Sequence, residues 1–306
     1  QIISCAFFLG FKSAKLDGQS KIICPVPGYD RHFKLLENFG VEMITVPFQK
    51  DGPDLNAIED LINTESNIHG IVCVPRHSNP TGHTFSDDNV EQLFKLIEPL
   101  KENFSIFWDN AYACHDIEDT IQQTPADQIA KKIGLENNLF QVGSTSKITL
   151  AGSGISFISS SADNLSKFID FRNAITPGPN KMNQGMHVKY FELVSIEQQM
   201  SELKKIIKPK FELVDHILEP LKDAGLCFYE KPTGGYFYSI DSAKSNADEV
   251  VQTCSQLGLK LLPMGSCFPY GVDPDNKNIR LAPTFPDMAS LERCVTIFKN
   301  VLKYLN

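Results

Sequence analysis

Lys147 stands alone among small and hydroxylated residues in GSTSKITLAGSG (143–154), directly after the apolar run LFQV, which marks it as a candidate for amine chemistry. Other apolar runs also end in polar groups: Tyr29 and His32 in PVPGYDRH, Asn79 in SNPTG, and Asp109 and Tyr112 in WDNAY, while Ser144 and Ser146 flank the lysine. Arg280 comes later, in NIRLAPTF. A ligand needing a ring-stacking group, a phenol donor, an amide, a carboxylate and an amine would be served by this set. Each member also has a plainer role. NPTG is a good turn sequence, Asp109 could cap a helix, a lysine after a strand is ordinarily solvated, and Arg280 could end a strand in an ion pair. Turn chemistry does not require an aspartate–tyrosine pair followed by a serine-flanked lysine, so the ordered constellation favours a site.

The elements that must position these residues alternate along the chain. KIICPV (21–26), EMITVPF (42–48), GIVCVP (70–75), FSIFWD (104–109) and NLFQVGS (138–144) have the β-branched and aromatic content of buried parallel strands. Between two of them Ser86 is an N-cap, Asp87 and Asp88 an acidic first turn, and Val90, Leu93, Ile97 and Leu100 recur at helical spacing. This β-α-β rhythm predicts a doubly wound α/β sheet, mostly parallel, with helices on both faces and sites at the C-terminal strand ends. From about Val188 to Ala224 the pattern predicts a long helical stretch interrupted at Pro209. GGYFYSI, a helix around 247–257, LKLLP, IRLAP and a final helix follow, which predicts a smaller C-terminal α+β domain. The expected division is a large domain over 1–205 and a small one over 206–306.

Composition bounds the function classes. The chain has 306 residues, 42% hydrophobic and 22% charged, enough for a sizeable core. Its net charge of −8 is spread over interleaved acidic and basic residues, so no basic patch suits nucleic acid and no polybasic anchor suits a membrane. Eight cysteines lie scattered without CxxC spacing, as free thiols in a reducing compartment do, so a cytoplasmic protein is expected. No metal-ligand spacing occurs. The chain starts at Gln1, and QIISCAFFLGFKSA reads as the later part of a helix, so an N-terminally truncated sequence is expected.

CPVPGYDRHF, VPRHSNPTG, FWDNAYACH, STSKITLAGSG, GPNKMNQ, GGYF and NIRLAPTFP together resemble the pyridoxal phosphate (PLP) enzymes of aminotransferase fold type I, and within them the bacterial aspartate aminotransferase subgroup Ic. The likeness runs over essentially the whole chain. It implies that Lys147 holds PLP as a Schiff base and, once freed, moves the proton from the substrate's α-carbon; such a lysine needs a desolvated pocket that depresses its pKa. It further implies that Asp109 pairs with the pyridine nitrogen and is held by His32, and that Tyr112 and Asn79 bond the ring's 3′ oxygen. Tyr29 would stack on the ring, and Ser144 and Ser146 would help hold the phosphate. Arg280 would grip the substrate α-carboxylate through two parallel hydrogen bonds.

The chain departs from the family in two places. Many relatives carry a phosphate-neutralising arginine shortly after LAG, where this chain has Ser153 and Gly154, and the glycine- and serine-rich phosphate loop upstream of the first strand is absent. The resemblance implies an aspartate:2-oxoglutarate aminotransferase working by a ping-pong mechanism on small amino acid and 2-oxo acid substrates, in a homodimer. For the distal carboxylate the candidate is Lys181, with Arg76 and Arg31 as alternatives. Transamination of another amino acid, β-elimination, or an effector-sensing PLP domain without turnover remain open at this stage.

Overall fold

Strand residues alternate between the two faces of a sheet, so a run that is apolar at every position must be covered on both sides. In the computed structural model, which describes residues 1–12, 15–118, 122–263 and 265–306, this holds for the first half of the chain. Seven strands form one sheet: β1 (Lys21–Val26), β2 (Glu42–Gln49), β3 (Gly52–Pro53), β4 (Ile68–Cys73), β5 (Ser105–Asp109), β6 (Leu139–Ser144) and β7 (Ser156–Ser159), in the order β3-β2-β1-β4-β5-β6-β7. The five central strands β2, β1, β4, β5 and β6 are parallel, and the short edges β3 and β7 run antiparallel to their neighbours. Ile22, Cys24, Val72, Phe107 and Phe140 pack on one face against the helices Ile2–Phe8, Asp30–Asn38 and Ala162–Ile175. Ile23, Ile71, Cys73, Ile106 and Trp108 pack on the other, against Leu55–Thr64, Asp87–Ile97 and Ala126–Ile133. Ser86 caps the helix Asp87–Ile97 as expected, its Oγ accepting from the Asn89 N–H at 3.0 Å.

A second core is built by residues from Ile207 onward together with Ile117. Strands β8 (Cys227–Phe228), β9 (Tyr238–Ser242) and β10 (Asn278–Leu281) form an antiparallel sheet in the order β10-β9-β8, covered by the helices Ile196–Asp223, Ala247–Gln256 and Met288–Leu305. No helix among the described residues is long and apolar enough to cross a membrane.

The structure moves the expected helix break. The chain parts at Val194–Ser195, where Ser195 and Gln198 form a reciprocal capping box, and the helix Ile196–Asp223 runs straight through Pro209 and Pro220. An interior proline costs about 3 kcal/mol. Ile207, Phe211, Val214, Leu218 and Leu221 recur at helical spacing into the second core, each burial worth about 1.5–3 kcal/mol, so packing outweighs the break. LKLLP (259–263) forms no strand, and β4 lies two residues earlier than its sequence pattern indicates, since Val74 and Pro75 lie beyond the end of the strand.

Candidate active site

Because β1, β4, β5 and β6 are parallel neighbours, the segments leaving their C-terminal ends open along one sheet edge. β5 ends on Asp109. One of its oxygens accepts from the Ala111 N–H at 3.0 Å and the other lies 3.0 Å from His32 Nε2. His32 comes from the first turn of the helix Asp30–Asn38, which follows β1 through Pro27, Gly28 and Tyr29; the Tyr29 and His32 rings meet edge to face at 4.9 Å. The carboxylate is therefore fixed in direction by an imidazole and a backbone amide.

Tyr112, just past Asp109, is buried, and burial pushes its phenol well above the ordinary value. Lys147 Nζ lies over its ring, 4.8 Å from the centroid. Desolvation lowers the Lys147 pKa, and the Asp109 carboxylate partly opposes that shift. Ser144 and Ser146 share a hydrogen bond between hydroxyls at 2.9 Å, and the Ser146 N–H donates to Ser144 Oγ at 3.1 Å. A Cβ at Gly154 would overlap Ser146 Oγ and its backbone nitrogen. Thus one of the two positions beyond LAG where the resemblance leads one to look for an arginine has no room for any side chain.

The helix Lys181–Leu193 braces this loop. His187 Nδ1 donates to the Asn183 carbonyl at 2.9 Å, which leaves Nε2 to accept from Thr149 Oγ1 at 2.8 Å, with Thr145 Oγ1 at 3.1 Å; Asn183 Nδ2 donates to the Ser153 carbonyl at 2.7 Å.

Arg280 reaches the same edge from β10. Its side chain is 9% exposed; NH1 donates to Asn79 Oδ1 at 3.0 Å and faces Asp30 Oδ1 at 3.4 Å, and the guanidinium lies 4.7 Å from the centre of the Phe237 ring. Its Nε is buried with no hydrogen-bond partner among the described residues.

Contacts thus join His32 to Asp109, Tyr29 to His32, Lys147 to Tyr112, and Arg280 to Asn79. Lys181 is not drawn in. It begins its helix on an exposed face, and no described contact ties it to the cluster. Arg31 is exposed, 3.8 Å from Asp30, and Arg76 bonds both oxygens of Asp116 at 2.8 and 2.9 Å. Sequence reasoning missed Asp30, Phe237, His187, His115 and Tyr236. Asp30 adjoins Tyr29, His115 closes the quoted FWDNAYACH, and Tyr236 and Phe237 lie within the quoted GGYF, but nothing in one sequence marks His187.

His115 carries a pH signature. Burial drives its pKa down from 6.5 to about 4, although a hydrogen bond to the Lys147 carbonyl and the Asp116 charge oppose the fall. The unfolded chain therefore takes up the proton first as pH drops. Stability is fully present above about pH 6.5 and is lost as pH falls towards 4, by about 3 kcal/mol at most. His83, lowered by burial as well, adds in the same direction. Calorimetry across pH 7 to 4 should show a falling melting temperature (on the order of several degrees), with a shallower slope in His115→Gln; an equal slope in that variant would remove His115 as the cause.

Residues 2–303 match the family described as aspartate amino-transferase. A Mycolicibacterium smegmatis protein with a provisional aminotransferase name is 40% identical over 279 residues, covering 90% of this chain and 65% of its own length. An aspartate aminotransferase of Corynebacterium glutamicum is 40% identical over 275 residues, covering 89% of this chain and 63% of its own. The chain thus spans just under two thirds of the length of these curated relatives. Among solved structures, an aspartate transaminase of C. glutamicum superposes with a TM-score of 0.91 at 35% identity, over 100% of this chain and 74% of that one. The seven-stranded sheet with its smaller antiparallel companion is the aminotransferase fold type I that such structures share. Since the match extends through all four strand ends and on to the strand that carries Arg280, this chain belongs to the aspartate aminotransferase family.

Proposed function

We propose that the protein binds pyridoxal 5′-phosphate and transfers the amino group of aspartate to 2-oxoglutarate in two half-reactions, with oxaloacetate leaving before 2-oxoglutarate enters. The observation that carries this reading is the half-buried Lys147 amine, lowered in pKa and set over Tyr112, in one cluster with a carboxylate that His32 and a backbone amide aim. The donor set fits the cofactor: an amine for its aldehyde, Asp109 for its ring nitrogen, Tyr112 and Asn79 for its ring oxygen, Tyr29 for its face, and Ser144 and Ser146 for part of its phosphate. Bound there, PLP would supply a carbonyl to receive the amino group and a protonated ring to draw electron density from the substrate's α-carbon.

Lys147 would take the proton from the substrate's α-carbon, a role that requires the neutral amine its partly desolvated position favours. Asp109 would pair with the ring nitrogen and favour its protonated form. Arg280, at the end of the cluster, would hold the α-carboxylate of both substrates. For the distal carboxylate we propose Lys181, acting in the site of a second copy. Met182, Met186, Val188 and Leu193 are large apolar side chains left exposed on Lys181's own helix, which supports a homodimer covering it. The division at 205/206 into a cofactor-binding and a small domain, and a cytoplasmic setting, belong to the same reading.

The test is a single-turnover panel. Aspartate added to the PLP-loaded protein should release one oxaloacetate per site, and 2-oxoglutarate added next should give one glutamate. Release of a different oxo acid by a different amino acid would change the substrate, and no release from any amino acid would reject an enzyme in favour of a PLP-binding sensor. Arg280→Lys should weaken both substrates by roughly 1.5–3 kcal/mol, since one charged hydrogen bond is lost from a group they share. A KM increase confined to one of them would place Arg280 at the distal carboxylate.

A further inference from the structure

Two side chains meet at the main-chain carbonyl of Lys147. The Tyr236 hydroxyl donates to it at 2.8 Å, and His115 Nε2 lies 3.3 Å away. A carbonyl only accepts, so the His115 proton sits on Nε2. Burial keeps both groups in the donor form, with the Tyr236 phenol pushed up to about 12 and His115 down to about 4.

The segment that delivers Tyr236 is itself fixed. Ile117 and Glu118 donate their N–H groups to the Thr233 carbonyl at 2.9 and 3.0 Å, and Gly235 donates to the His115 carbonyl at 2.9 Å. A Cβ at Gly234 would overlap the His77 ring, so only glycine allows this approach. Phe237, the next residue, lies under the Arg280 guanidinium, and both Tyr236 and Phe237 meet the Tyr112 ring edge to face. Consecutive residues of one segment therefore touch the backbone of the amine and the cationic anchor for carboxylates.

A lysine that gives up and regains a bond has four rotatable side-chain bonds, so the fixed reference for its amine is its backbone. We propose that Tyr236, backed by His115, is a positioning residue for Lys147, pinning the main chain from which the amine reaches over Tyr112. The proposal rests on the reading of Lys147 as the PLP anchor. A displacement of about 1 Å at a reacting group can slow a reaction on the order of a hundredfold, so the pin acts on rate more than on binding of substrate.

The test compares Tyr236→Phe with the unsubstituted full-length protein, since phenylalanine keeps the ring contacts to Tyr112 and His115 and removes only the donor. In cofactor-free protein, the pH profile of Lys147 acylation by a small reagent, read by peptide mass, gives the apparent pKa of the amine. In PLP-loaded protein, loss of cofactor to a scavenger and the kcat and KM for aspartate are measured. Expected are a Lys147 pKa raised by about half a unit or more as water reaches the amine, PLP release about five- to tenfold faster, and kcat lower by a similar factor with KM within about twofold. His115→Gln, which keeps a donor near Nε2, should stay close to the unsubstituted protein, while His115→Leu should follow Tyr236→Phe. Profile, release and kcat all unchanged within about twofold would overturn the proposal, and so would a lower melting temperature with nothing else altered, which assigns the hydroxyl to stability alone. If Lys147→Ala takes up PLP with the same absorbance as the unsubstituted protein, the functional reading fails, and the acylation profile of the cofactor-free protein still decides the role of Tyr236.

Discussion

Replacing Lys147 by alanine is expected to abolish covalent attachment of PLP and to slow transamination by orders of magnitude, because the anchor and the proton carrier are one residue. A positioned general base alone accounts for about 10²–10⁴-fold. Borohydride treatment of the unsubstituted protein should fix the cofactor's mass onto the peptide containing Lys147, and the variant should show no such adduct. The fold should survive, since Tyr236 and His115 bond the backbone carbonyl of this residue rather than its side chain. Near-normal turnover in the variant would take Lys147 out of the site.

For Asp109→Asn the expected loss lies in the electron-withdrawing power of the cofactor ring. Asparagine matches the carboxylate in shape, can accept from the Ala111 N–H and can donate to His32, so the loop should keep its form and PLP should still bind. Transamination should fall by about 10²–10³, the scale set by removing one fixed electrostatic partner of a developing charge. A second readout needs no cofactor. Asp109 raises the Lys147 pKa against the downward pull of desolvation, so the variant's amine should titrate at lower pH than that of the unsubstituted protein. An upward shift, or unchanged turnover, would contradict the assignment.

What the sequence disclosed follows from what each kind of residue has to satisfy. Strands buried on both faces need apolar residues at every position, so β1 matches KIICPV residue for residue. β7 escaped notice because SFIS is a short edge strand with mostly exposed side chains. Pro209 misled because propensity is local, whereas the packing of Phe211 and Val214 that carries the helix through it is decided by a sheet beginning at Cys227. The candidate residues at the ends of parallel strands stand out in the sequence because they interrupt an apolar pattern. The partners that orient them were not: Asp30 meets Arg280 across 250 positions of sequence and His187 braces Thr149 across 38. No periodicity records such pairings.

The opening turn of the helix Asp30–Asn38 has two clients. Asp30 faces the cation proposed for substrate carboxylates, and two residues on, His32 holds the carboxylate proposed for the cofactor ring. Tyr29 immediately precedes Asp30, and the Gly28 N–H ties the same turn to the Cys267 carbonyl at 2.7 Å. On the proposed reading, substrate preference and cofactor activation are not separable traits in this chain: a change that tilts this turn should alter both together, and a route to new specificity through Arg280's surroundings would have to leave the tilt alone.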